Sequence, residues 1–200
     1  MATQAKTKPL EWPICIVDFE ASSLSKQSYP IEVGVCLWTD PDLPVRLWGS
    51  LIRPTEKWLE SQDWSDEAFA VHGITQEDLQ TGLTPEEIRL ELLKFCAPAD
   101  LVFCDGGDHD HHWHNQLCAA AGAGTGMVLA SLQKMLFHHE LYEPYAERAE
   151  SANTRHRAIP DCIEIITQIA DVAGIAIEID LSTIEHDPIQ AALAKEAWQP

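Results

Sequence analysis

Three short apolar stretches follow one another near the start of the chain: residues 14–19 (ICIVDF), 31–38 (IEVGVCLW) and 44–53 (PVRLWGSLIR). They are rich in β-branched residues and too short for core helices, so they read as buried strands. The turn Asp40-Pro41-Asp42 predicts an antiparallel hairpin between the second and third. A sheet begun this way has two apolar faces and needs covering on both. The later sequence supplies the cover, because helical patterns there alternate with short apolar runs. The order predicts an α/β domain with a mixed sheet.

Ser65 with Asp66 and Glu67 opens a short helix that ends near His72-Gly73, and Thr75 with Asp78 forms a second capping pattern. Thr84-Pro85-Glu86-Glu87 is a complete helix start: cap, first-position proline, then acids in the first turn. Ile88, Leu92 and Phe95 keep helical spacing behind it. Residues 101–104 (LVFC) predict a strand, followed by a helix through Trp113, Leu117 and Ala120. A short strand at 126–130 and a short helix at 131–138 come next, then a polar loop or lid over 140–157. A long helix is expected over 158–173, with Pro160 in its first turn, where the missing N–H is harmless. The expected division is a tail over 1–12, one domain over 13–181, and a C-terminal tail over 182–200.

No apolar run is long enough to span a membrane, and MATQAKTKPLEWP lacks the apolar centre of a secretory signal. These features imply a soluble, cytoplasmic chain. The six cysteines are scattered without a CxxC pair, which fits core thiols in a reducing compartment. The net charge of −19, from 13 basic and 32 acidic residues, argues at first against a phosphate-bearing partner. Alternatively, carboxylates gather where divalent cations reverse the local sign.

Three clusters bear on that choice. Asp18 and Glu20, in VDFEASSL, lie two apart at the end of the first strand and therefore on one face. Taken alone they could be a solvated acidic edge. Cys104-Asp105-Gly106-Gly107-Asp108-His109-Asp110 follows the LVFC strand, at the kind of strand-to-helix junction where α/β sheets collect ligands. By itself it is an acidic turn. His156-Arg157-Ala158-Ile159-Pro160-Asp161 straddles a helix start, and its acid would suit the helix dipole in any protein. Together they offer several hard oxygen ligands and a base of near-neutral pKa, as metal-assisted phosphodiester hydrolysis requires.

These segments resemble the DEDDh exonucleases, which include oligoribonuclease-like enzymes and the proofreading subunit of bacterial DNA polymerase III. DFEASSL matches the D-x-E-x-(T/S)-x-L motif, and YPIEVGV the strand after it. WSDEAFAVHGITQEDL resembles the HGI(T/S)-x-x-x-L segment, FCDGGDHDHHW a variant SDG-x-x-x-D motif, and HRAIPD matches H-x4-D. The matches run in order from about residue 14 to 173.

The resemblance implies a ribonuclease H-like fold, a mixed five-stranded sheet flanked by helices. It also implies a 3′→5′ exonuclease that releases nucleoside 5′-monophosphates with two divalent ions, Mg²⁺ or Mn²⁺. Asp18, Glu20, Asp110 and Asp161 would be the metal-binding acids and His156 the general base. Ser22 would contact the 3′-terminal sugar, while His72 and Ile74 would shape the terminal-nucleotide pocket. The substrate would be a single-stranded or frayed 3′ end of DNA or RNA, engaged by a homodimer or delivered by a protein partner.

The chain departs from the family pattern at two places. Ser23 stands where many members have glycine. The second motif offers Asp105, Asp108 and Asp110, of which Asp110 has the spacing to Trp113 that fits the variant form. His109, His111, His112 and His114 have no ligand-spacing signature and read as surface or site-lining residues. A catalytically silent, partner-binding nuclease-like module is the competing reading. The presence of all five expected catalytic residue types weighs against it.

Overall fold

The computed structural model describes residues 8–124, 126–150 and 156–199. Strands β1 (Ile14–Ala21), β2 (Pro30–Trp38) and β3 (Val45–Leu51) form the expected antiparallel meander. In the 40–42 turn the Asp42 N–H donates to the Asp40 carboxylate at 2.9 Å, which closes the hairpin. Two short helices follow, α1 (Glu56–Glu60) and α2 (Asp66–His72), the latter capped by Ser65 and ended by Gly73 in the left-handed region at φ 68°. Helix α3 (Pro85–Phe95) has the full capping box, in which Thr84 and Glu87 bond each other's backbone N–H groups.

Next come β4 (Val102–Cys104), α4 (Asp108–Ala120), β5 (Leu129–Ser131) and α5 (Leu132–His138). They are followed by α6 (Tyr142–Ala149), α7 (Ala158–Ala173), β6 (Ile179–Asp180) and α8 (Pro188–Ala197). The sheet order is β5-β4-β1-β2-β3-β6, with β4 parallel to β1, β5 to β4, and β6 to β3. The sheet thus has six strands rather than five. The extra one is the two-residue β6, too short to show a periodicity.

Two other expectations give way. The stretch 140–157 contains helix α6, while its residues 151–155 lie outside the described residues. The stretch 182–199 contains a helix: α8 packs on α7, burying Ala191 and Ala194. Its start signal, Asp187 before Pro188, is a cap with first-position proline.

Period-two alternation divides the core. Cys15, Val17 and Phe19 of β1 and Val33, Val35 and Leu37 of β2 face α3 and α4, packing with Ile88, Leu92 and Leu117. Ile14 and Ile16 of β1, with Cys36 and Trp38 of β2, face α5 and α7. Ile159, Ile163, Ile166 and Ile169 of α7 are buried there. Each contributes roughly 1.5–3 kcal/mol of apolar burial. Helix and sheet approach so closely that a Cβ on Gly34 would lie 2.5 Å from the Ala158 carbonyl carbon. Asp18 and Glu20 continue the even-numbered face of β1, so alternation alone turns them toward α7.

Candidate active site

The carboxylates of Asp18 and Glu20 meet that of Asp161, from the first turn of α7, with one oxygen of each within 4.8 Å of the others. Asp18 Oδ2 is buried and has no hydrogen-bond partner among the described residues. Burial pushes the Asp18 carboxyl well above the usual carboxylate range, and the charges of Glu20, Asp110, Asp105 and Asp161 push it further. Burial, then Glu32 and Asp161, raises Glu20 to about 8, against a partial opposing pull from Arg157. Two carboxyls whose pKa values are raised by burial and by neighbouring acids, with an orphaned inner oxygen, fit a divalent cation. Asp18, Glu20 and Asp161 are the residues that would hold one.

The second motif divides its three acids. Asp110 is 1% exposed and accepts the Gly106 N–H at 2.9 Å. Its pKa is raised to about 7, by burial first and then by Asp105. Asp105, at the mouth of β4, lines a cleft of about 110 Å³ with Asp18, Asp161, Glu164 and Tyr145 of α6. Asp108 is exposed on the first turn of α4. Asp110 lies outside the close group of three, although its charge reaches Asp18.

His156 is exposed, two residues ahead of α7, with its backbone in the left-handed region at φ 50°. That conformation is unusual for a non-glycine residue. Ser22 is fully buried, and its hydroxyl donates to Asp63 at 3.1 Å. The Ser23 and Ser25 hydroxyls donate to the same carboxylate, at 2.7 and 2.8 Å. The loop after Glu20 is therefore clipped to the segment before α2. His72 and Ile74 are also buried, joined by the Ile74 N–H donating to His72 Nδ1 at 3.0 Å. Burial lowers the His72 pKa and favours the neutral ring. Of the α4 histidines, His109 and His111 are exposed, and His112 bonds the Ser28 carbonyl. His114 is buried against Cys118, which corrects its expected surface or site-lining position.

Sequence reasoning missed two residues. Asp63 organises the serine loop and stands in a polar segment with nothing to distinguish it. Glu32 is fully buried on β2, directly across from Glu20. It bonds Arg157, the Ala158 N–H and Gln190. A signal was present, because a lone acid inside IEVGVCLW must find a partner if the strand is buried.

No protein-family model and no curated protein sequence matches the chain. Among solved structures, cell-death related nuclease 4 superposes with a TM-score of 0.56 at 14% identity, over 86% of this chain and 67% of that one. The fold is ribonuclease H-like. A full-length 3′-exonuclease aligns at TM-score 0.43 and 22% identity, over 54% of this chain and 52% of its own. The zinc-bound form of an E. coli ExoI–ssDNA complex aligns at TM-score 0.49 and 12% identity, over 94% of this chain and 40% of that one. The chain thus matches about half the length of the 3′-exonuclease. Among the described residues, no helix is long and apolar enough to cross a membrane.

Proposed function

We propose that the chain is a 3′→5′ exonuclease of the DEDDh type that hydrolyses phosphodiester bonds at a nucleic-acid end by a two-metal mechanism. The observation that carries this reading is the group Asp18, Glu20 and Asp161: converging, largely enclosed acids, with the buried Asp18 Oδ2 lacking a hydrogen-bond partner among the described residues. In this reading Asp110 completes the acidic set. Bound Mg²⁺ or Mn²⁺ would supply Lewis-acid stabilisation of developing charge and a more acidic water. His156 would take the proton of the attacking water on an imidazole nitrogen, from an exposed position beside the cluster's α7 anchor. The products would be nucleoside 5′-monophosphates.

His72 and Ile74 would support the terminal-nucleotide pocket from behind, and Ser22 would hold the loop that faces the terminal sugar. A net charge of −19 suits short single-stranded or frayed 3′ ends better than long duplex DNA. The deciding experiment incubates end-labelled single-stranded DNA and RNA with the protein in Mg²⁺, in Mn²⁺ and in excess chelator. Stepwise shortening from the 3′ end with either metal, abolished by chelator, is expected. Hydrolysis that persists after exhaustive chelation, or no hydrolysis under any condition, overturns the reading.

A further inference from the structure

Glu32 is a buried acid that this fold has compensated on every side. Arg157 Nη2 donates to Oε1 at 2.6 Å and Nε to Oε2 at 3.0 Å. The Ala158 N–H, at the start of α7, donates to Oε2 at 3.0 Å. The third approach comes from outside the expected domain: Gln190 Nε2, fully buried on α8, donates to Oε1 at 2.7 Å. The Asp187 carboxylate in turn caps α8 by accepting the Ile189 and Gln190 N–H groups.

Glu32 thus holds residues 157–158, immediately after the left-handed bend at His156 and one turn before Asp161, and Gln190 reaches them through Glu32. Gly34 leaves no room for the first turn of α7 to shift toward the sheet. The Asp161 N–H donates to the Arg157 carbonyl at 3.0 Å, so the acid is tied to the same anchor. A bent, exposed residue needs its flank fixed if its ring is to hold one place.

We propose that Glu32 is a positioning residue, and that through Gln190 it makes the C-terminal helix α8 a strut for residues 156–158. The catalytic consequence rests on the nuclease reading; the mechanical coupling does not. Gln190→Ala is the gentlest test, since it removes one hydrogen bond and leaves the Arg157 pair in place. Amide exchange over residues 157–161 should accelerate while β1 and β2 keep their protection. The turnover number should fall about 10–100-fold, with KM and the Mn²⁺ requirement unchanged. Glu32→Gln, which keeps the shape and removes the charge, should give the larger effect on both readouts.

Unchanged exchange over 157–161 in both variants overturns the proposal. So does exchange that rises equally through the whole sheet, which would mark a purely structural role. If the unmutated protein hydrolyses nothing while Gln190→Ala still loosens 157–161 selectively, the strut stands and the nuclease reading falls.

Discussion

Glu20 and Glu32 face each other across β1 and β2, on the same side of the sheet, and the protein treats them in opposite ways. Glu32 receives a guanidinium, a helix N-terminal N–H and a side-chain amide. Glu20 is surrounded mainly by other acids and its pKa is pushed up to about 8. A buried carboxylate without compensation costs several kcal/mol, so of the two it is Glu20, with only a partial pull from Arg157, that an outside cation would stabilise more. Compensation separates an acid that holds the structure from one that meets a ligand.

The largest break in this comparison is Asp18→Asn. Removing the charge with the most acidic neighbours should abolish metal-dependent hydrolysis, a fall of about 10³-fold or more. The same change should raise the melting temperature of the metal-free protein, because it relieves the repulsion and burial that raise the Asp18 pKa. Activity and stability measured together check the idea. A variant that loses both would make Asp18 a structural acid like Glu32.

His156→Ala comes next, with turnover expected to fall about 10²–10⁴-fold. Melting temperature and metal affinity should hold, because His156 is exposed and the carboxylates are untouched. Near-normal turnover with an unchanged pH profile would place the base elsewhere.

The clustered acids also set the pH response. Asp18, Glu20 and Asp110 all have raised folded-state pKa values, with Glu20 near 8 and Asp110 near 7. The unfolded chain releases these protons near pH 4. Between there and about pH 8 the native state binds more protons, so stability falls as pH rises through that window. Thermal melts in chelator should show this decline, and added Mn²⁺ should reverse it at the alkaline end by replacing protons as counter-charge. A metal-free melting temperature that climbs steadily to pH 8 would show that the acids ionise without cost.

Most of the frame was legible in the sequence because its signals are local. The three opening strands, the Thr84 cap and the α7 isoleucines each declare themselves within a few residues. That Asp18 and Glu20 share one face followed from period-two alternation, whereas their grouping with Asp161 came from the family resemblance. What stayed hidden depends on distant pairing. Neither the Glu32–Gln190 bond, 158 residues apart, nor the Asp63 hold on three serines has a sequence period. β6 and α6 were hidden for other reasons: two residues cannot show alternation, and α6 buries no residue that would give it an apolar stripe.

The finest test separates the acids of the second motif. Asp108 is exposed at the N-terminus of α4, where water and the helix dipole already stabilise its charge. Asp108→Asn should change turnover by no more than about twofold and stability by a few tenths of a kcal/mol. Asp110→Asn should differ sharply. It keeps a carbonyl for the Gly106 N–H but removes a buried charge that acts on Asp18, so metal affinity and rate should drop while metal-free stability rises. Asp105 lines the cleft beside Asp18 and Asp161, and Asp105→Asn is the third arm of the comparison. Metal titration of the three variants ranks them. Asp110 well ahead of both others sustains its place in the acidic set, whereas Asp105 ahead of Asp110 moves the ligand to the cleft wall. An Asp108 effect as large as either would show that exposure at a helix start does not exempt an acid here, and the contrast between bare and compensated carboxylates would no longer sort function from structure.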